Sequence, residues 1–254
     1  MNIAVTGATG RMGRAVLERA ADRDDLTVSF AASRDPDIDR IAEIRLSPEK
    51  ELESLLDRRR PNALIDFTVP DASVRYAQQC AQAAVPIVIG TTGFDAEQRE
   101  TLATVAERVP VLTASNFAPG MVALQHAAET VAQLLDGYDI EVTETFHNRK
   151  SEAPGGTANA IVDRLEAVRG ELTRVHGREG QTGRADDEIG IHSRRAGDVR
   201  GDHEVLFADN DETISLTHRT ASRDVYAAGA LDAAVWLAGQ PPELYEFADA
   251  LLDN

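Results

Sequence analysis

Lysine is what this sequence has least of among its charged residues. Of 26 basic residues, 24 are arginine and only Lys50 and Lys150 are lysine, so a lysine in a particular place asks for a reason. Positive charge as a whole is scarce: 43 acidic residues against 26 basic leave a net charge of −17. A nucleic-acid partner and an anionic lipid surface are excluded by that balance, since both would be repelled. Cysteine is reduced to Cys80 alone, which excludes an intramolecular disulfide. Set in the helical pattern from Ser73 to Val85, it reads as a buried, inert thiol. No run approaches the roughly 18 apolar residues of a membrane span, and the opening stretch is strand-like with no signal-type apolar run. The expectation is a cytoplasmic protein. His126, His176, His192, His203 and His218 stand at no metal-ligand spacing, so no metal is expected.

What the chain has in excess is acid. Few lysines, many arginines and a large negative charge read as a halophilic protein, because the Debye length falls to about 3 Å at 1 M salt and self-repulsion is then screened.

The first half alternates short apolar strands with helical patterns. "NIAVTG" leads into "GRMGRAVLERAADR", where Met12, Val16, Leu17 and Ala20 recur at helical spacing. "LTVSFAAS", "NALIDFT", "PIVIGTTG" and "VPVLTAS" continue the strands, with helices near Glu49–Arg59, from Asp71 and after Phe94. Such alternation implies right-handed crossovers and a doubly wound, Rossmann-type parallel sheet covered by helices on both faces. After Asn116 the rhythm changes. A helix from about Pro119, the alternating strand "YDIEVTETF", a helix after "PGGT" and three strands, "IGIHSRR", "HEVLFAD" and "TISLTHR", read as a smaller α+β domain with a mainly antiparallel sheet. "DND" between the last two signals a hairpin. The expected division is residues 1–117, 118–223 and 224–254, the last read as two helices, "DVYAAGALDAAVWLAG" and "PELYEFADALLD", that return to the first domain.

"GATGRMG" places Gly7, Gly10 and Gly13 between the first strand and the first helix. A chain that must turn sharply, approach a pyrophosphate and pack a helix on the sheet needs glycine at each step, and the helix N-terminus then faces the phosphates. Gly7, Ala8, Thr9, Gly10, Arg11 and Met12 are therefore candidate dinucleotide contacts. After the second strand comes Ser33–Arg34, with no carboxylate before Asp35. An acidic residue there would bind the ribose 2′-hydroxyl of NAD, whereas arginine suits the 2′-phosphate of NADP. NADPH is the expected cofactor, held by Arg34 with help from Arg11, with NADH as a possible substitute. Ligands of such sheets lie outside the carboxyl ends of the strands, which adds Gly90, Thr91 and Thr92, then Ala114, Ser115, Asn116 and Phe117.

"FHNRKSEAPGGTANAI" runs from a strand through a cationic loop into a helix. Gly156 and Thr157, with Gly155, offer backbone N–H groups and a hydroxyl at the helix start, and His147 and Lys150 add positive charge and a proton. This describes a pocket for a small dianion. It also explains why a lysine stands here, since an ammonium can give up a proton and a guanidinium practically cannot.

The segments "TGATGRMGRA", "IDFT", "VIGTTGF", "ASNFAPG", "KSEAPGGTA", "HGREGQTGR", "RAGDVRGDHEVLFAD" and "THRTASRDVYAAGAL" resemble, in order and spacing, the 4-hydroxy-tetrahydrodipicolinate reductase family of lysine biosynthesis. The resemblance covers nearly the whole chain. It implies a homotetramer that passes hydride from NAD(P)H to a cyclic dicarboxylate imine. The cofactor would be bound by Gly7 to Met12, Arg34, Gly90 to Thr92 and Ala114 to Phe117. His147, Lys150, Gly156 and Thr157 would bind substrate, with Lys150 as proton donor and the middle domain as tetramer interface. The family's pattern has two adjacent histidines ahead of the lysine, the first assigned as acid/base; here Phe146 precedes His147. Glu152 replaces an aspartate and Gly155 a common serine. Phe146 carries no proton, which leaves open a non-catalytic NADPH-binding homologue or a reductase of another small carboxylate. The glycines from Gly177 to Gly183 suit either a lid or an inert loop.

Overall fold

The computed structural model describes residues 1–34 and 39–253; Asp35 lies outside them. In chain order its elements are β1 (Asn2–Thr6), α1 (Arg11–Ala21), β2 (Thr27–Ser33), β3 (Arg40–Ile41), β4 (Ile44–Pro48), α2 (Leu52–Arg59), β5 (Ala63–Asp66), α3 (Pro70–Ala83), β6 (Ile87–Ile89), α4 (Ala96–Ala106) and β7 (Val111–Thr113). There follow α5 (Pro119–Leu134), β8 (Asp139–Phe146), α6 (Gly156–Arg169), β9 (Thr173–Val175), β10 (Glu188–Arg195), β11 (Asp202–Asp209), β12 (Glu212–Arg219), α7 (Asp224–Leu237), β13 (Leu244–Glu246) and α8 (Asp249–Leu252). The described residues fall into two compact units, Met1–Ala118 with Arg223–Asn254, and Pro119–Ser222.

In the first unit the sheet runs β13-β7-β6-β5-β1-β2-β4-β3. Every pairing is parallel except the short β3–β4 ladder. Its central strands are apolar on both sides, as a sheet between two helix layers requires: Ile3, Val5, Leu64, Ile65, Ile87 and Ile89 are all fully buried. α1 lays Val16, Leu17 and Ala20 on the core, while Arg19 sits in its last turn, where positive charge suits the dipole. α4 begins with a capping box in which Asp95 and Gln98 satisfy each other's backbone N–H groups. The strand order reverses direction at β1, which pairs with β2 on one side and β5 on the other. A crevice at the carboxyl ends is expected there.

The second unit holds a sheet ordered β12-β11-β8-β10-β9. The longer share of its pairing is antiparallel, in the ladders β11–β12 and β11–β8, while β8–β10 and β10–β9 are parallel. Alternation along β11 buries His203, Val205 and Phe207 and leaves Glu204 and Leu206 half-exposed. The β11–β12 turn is Asn210–Asp211, both at positive φ, 50° and 61°. That geometry is the two-residue turn whose twist matches the strands, and Asn and Asp tolerate it best after glycine.

Three places depart from the sequence reading. The polar stretch before α2 contains β3 and β4, and β9 precedes the glycine-rich loop; both are short strands whose pairing supplies what their composition does not. "PELYEFADALLD" is not a helix over its length. Leu244–Glu246 form β13, paired in parallel with the edge strand β7, and only Asp249–Leu252 are helical. An open sheet edge offers backbone hydrogen bonds that outweigh a weak helical propensity.

Candidate active site

The carboxyl ends of β1, β2, β5 and β6 are joined by contacts that only small residues permit. Gly7 sits at φ +69°, where a Cβ would stand 2.4 Å from the Phe67 carbonyl oxygen, and a Cβ on Gly13 would meet the Gly7 oxygen at 2.2 Å. Gly7 and Gly13 are thus required to bring the turn under β5 and to seat α1 on the turn. Gly10 N donates to Gly7 O at 2.9 Å, and Gly10 is the extended residue that opens α1 without a side-chain cap. The first N–H groups of a helix have no partner within it, so those of Arg11 and Met12 have none in α1, an arrangement that suits an anion. Thr9 Oγ1 and the buried Ser33 Oγ share a hydrogen bond of 2.7 Å that ties the turn to the end of β2. Arg34 and Arg11 are both exposed beside this pair in sequence.

Asp66, at the end of β5, is wholly buried. Thr6 Oγ1 donates to it at 2.6 Å, Thr68 Oγ1 at 2.8 Å and Thr91 Oγ1 at 3.2 Å, and Ser73 Oγ donates as well. Burial pushes its carboxyl up from the ordinary range, against the pull of these four hydroxyls. Thr68 N donates to Thr91 Oγ1 at 3.2 Å, so the carboxylate fixes the β5 and β6 loops as one body. Sequence reasoning noted Asp66 only as the end of a strand; a buried acid among hydroxyls could have been suspected from "DFT" and "GTT" at neighbouring strand ends and "DAS" in the first turn of α3.

The other candidate contacts divide by burial. Thr91 is buried, Thr92 exposed and Gly90 intermediate, with a Cβ at Gly90 running into the Phe67 ring at 2.0 Å. Ala114 N donates to Ile89 O, Ser115 is exposed, and Asn116 Oδ1 accepts from Ala118 N at 2.8 Å. Ala8 and the Phe117 side chain belong to the core: Phe117 packs between Phe67 and Phe247, with ring centroids 5.7 and 5.2 Å away.

In the second unit, the loop after β8 is held by a clamp that the sequence did not disclose. Arg195, at the end of β10, donates from Nε to Lys150 O at 3.2 Å, from Nη2 to Glu144 Oε1 at 2.7 Å, and also to Glu152 O. Glu144 is fully buried, and its other oxygen accepts from Gly155 N at 3.0 Å. The clamp therefore joins β8, β10, the lysine loop and the start of α6. Within it His147 and Lys150 are half-buried, and Lys150 N donates to His147 O at 3.1 Å. Lys150 Nζ lies 2.8 Å from Glu152 Oε2, and Gly156 is exposed at the helix start beside half-buried Thr157. Four of the sequence-chosen residues, His147, Lys150, Gly156 and Thr157, thus lie on one short path from β8 to the N-terminus of α6.

His203 lies opposite Glu144 across the β11–β8 ladder and opposite His218 across β11–β12. It is 2% exposed, and neither ring nitrogen has a hydrogen-bond partner among the described residues. Burial pushes its pKa down to about 4, outweighing the attraction of Glu144 and reinforced by His218 and Lys150. The glycine-rich loop is tied at its base. Arg178 Nη1 donates to Gly183 O at 2.8 Å, and Arg184 pairs with Asp139 at 2.9 Å and with Glu141. Among the described residues no group of three His, Cys, Asp or Glu could hold a metal ion. No helix among them is long and apolar enough to cross a membrane.

Known proteins are similar to this chain over nearly its full length. Residues 1–117 match the family described as dihydrodipicolinate reductase, N-terminus, and residues 120–251 match dihydrodipicolinate reductase, C-terminus. A 4-hydroxy-tetrahydrodipicolinate reductase of Natronomonas pharaonis is 49% identical over 252 residues, covering 99% of this chain and 100% of its own. That of Haloarcula marismortui is 45% identical, with 98% of each chain covered. Among solved structures, a dipicolinate-bound dihydrodipicolinate reductase from Paenisporosarcina superposes with a TM-score of 0.81 at 25% identity, over 99% of both chains. An amine dehydrogenase from Mycobacterium smegmatis, at 11% identity and a TM-score of 0.68 over 98% of this chain and 95% of its own, shares the fold.

Proposed function

The chain belongs to the dihydrodipicolinate reductase family, and from that membership we propose how its own residues divide the reaction. It is an oxidoreductase of lysine biosynthesis that uses NAD(P)H to reduce a cyclic dicarboxylate to tetrahydrodipicolinate. The turn from Gly7 to Met12 receives the pyrophosphate at the N-terminus of α1. Gly90, Thr91 and Thr92, with Ala114 to Asn116, accept the nicotinamide end. Arg34 and Arg11 take the 2′-phosphate and make NADPH the preferred donor.

His147, Lys150 and the N–H groups at Gly156 and Thr157 bind the two carboxylates. Lys150 gives the proton that, with hydride from the reduced nicotinamide, completes the two-electron reduction. The single observation that carries this reading is the Arg195–Glu144 clamp, which brings the lysine loop and the start of α6 together. It spends buried charge on the shape of one loop, as a site held ready for a dianion requires.

The enzyme works as a cytoplasmic homotetramer in concentrated salt. The −17 charge supports the salt requirement, and the half-exposed Leu206 with exposed Ser215 and Thr217 on one sheet face supports association. The test is NADPH oxidation in molar potassium chloride, with substrate generated in place by dihydrodipicolinate synthase from pyruvate and aspartate semialdehyde. Turnover well above the rate without synthase supports the assignment of roles; folded, NADPH-binding protein that leaves the substrate untouched would refute it.

A further inference from the structure

The Lys150 ammonium lies 4.7 Å from the centroid of the Phe146 ring, within the roughly 6 Å reach of a cation–π contact. Phe146 ends β8 and Lys150 closes the hydrogen-bonded turn that follows. The side chain reaches the ring because residue 155 has none: a Cβ on Gly155 would stand 2.9 Å from Lys150 Cε, 3.0 Å from its Nζ and 2.8 Å from Glu144 Oε2. Glu144 has nowhere to go, being fully buried and held by Arg195 and Gly155 N. Any side chain at 155 must therefore displace the lysine. The Phe146 ring also meets His203, centroids 5.5 Å apart and planes at 78°. Burial keeps that imidazole neutral, so it does not compete with the ammonium as a cation. Arg195 is farther off, 5.9 Å from the ring centroid.

We propose that Phe146 is a positioning residue for the reduction: its ring seats the Lys150 ammonium, in the room left by Gly155, and so aims the proton donor at the dicarboxylate. The inference rests on the role of Lys150 proposed above. It makes one device of two positions at which this chain leaves the family pattern. A residue that cannot carry a proton still serves if its work is to hold the one that does. Geometry of this kind, an aromatic face and an absent Cβ meeting one ammonium, is not needed for packing alone.

With only two lysines in the chain, the seat can be observed directly. In protein labelled with 13C at the lysine ε carbons, the ring current of Phe146 is expected to move the Lys150 ε-methylene resonances upfield of those of Lys50. Phe146→Leu is expected to abolish that difference and lower kcat roughly tenfold, the worth of a partly desolvated cation–π contact. Phe146→Tyr, which keeps a π face, is expected to restore the shift and most of the rate. Gly155→Ser is expected to displace Lys150 with Phe146 intact, giving the same spectral change by a second route. The Lys50 resonance and NADPH binding report folding of the first unit throughout. Lys150 resonances unmoved by Phe146→Leu, or native kcat in that variant, would overturn the proposal. If the native chain shows no turnover while Phe146→Leu still moves the resonance, the reductase reading falls and the seat stands.

Discussion

The two units build their sites from opposite materials. In the first, the turn after β1 and the loops after β5 and β6 are made largely of glycines and hydroxyls, gathered around an acid, Asp66, that is buried. In the second, the loop after β8 carries His147, Lys150 and Glu152, and Arg195 from the end of β10 clamps it over a buried glutamate. A cofactor shared by many enzymes can be met by backbone, which needs only close approach. A particular dicarboxylate has to be met by charge and a proton, which need long side chains held still.

That contrast sets where substitutions should bite. Lys150→Ala is expected to cost the most, lowering kcat by about 100- to 10,000-fold, the usual worth of an acid/base group. Steady-state rates beside NADPH titrations check it; a variant with native kcat would remove Lys150 from the chemistry. Arg195→Met strands the buried Glu144 carboxylate, and breaking a buried pair of this sort costs about 3–5 kcal/mol. Denaturant unfolding should show the loss, along with a raised KM for the dicarboxylate, whereas NADPH affinity in the other unit should hold.

His203 makes the second unit sensitive to acid. Its folded pKa, about 4, lies below the ordinary 6.5, so the unfolded chain takes up a proton through that window and the folded chain does not. Stability present above pH 6.5 is therefore lost as pH falls towards 4, by about 3 kcal/mol from this residue. His203→Leu, measured by unfolding at pH 7 and pH 4.5, should flatten that decline; an unchanged slope would show that Glu144 or another group carries it. The smallest effect is expected at Arg34. Arg34→Ala should narrow the preference for NADPH over NADH by roughly tenfold, as for one exposed charge-assisted contact, with kcat for NADH little changed. Equal kcat/KM ratios before and after would leave the preference to Arg11 or to backbone.

Legibility in the sequence followed the same divide. The Gly7–Gly10–Gly13 turn could be read because most of its constraints are local: Gly7 takes a positive φ and Gly10 and Gly13 pass close to the Gly7 carbonyl, although Gly7 also makes room for the distant Phe67. The strands β1, β5 and β6 could be read because burial makes their central residues apolar, with the polar Thr6 and Asp66 confined to the carboxyl ends. The lysine loop was legible as a cluster of residue types, but its clamp was not. Arg195 lies 51 residues from Glu144, and nothing in "IHSRR" distinguishes the second arginine from the first until β10 pairs with β8. His203 is hidden in the same way, since it looks like any histidine in an alternating strand until its face is known. β13 was misread because its partner, the edge of β7, is also far away in sequence. Phe146 was seen as a loss, and only the position of Lys150 over its ring gives it work to do.

The two units are expected to divide the work, one holding the cofactor and the other the dicarboxylate, and one variant tests that division. Titrate Lys150→Ala first with NADPH and then, in its presence, with dipicolinate. NADPH affinity is expected to stay native and dipicolinate affinity to weaken at least tenfold, about the worth of one charge-assisted contact to a carboxylate. Native affinity for dipicolinate, or an equal loss for both ligands, would contradict it.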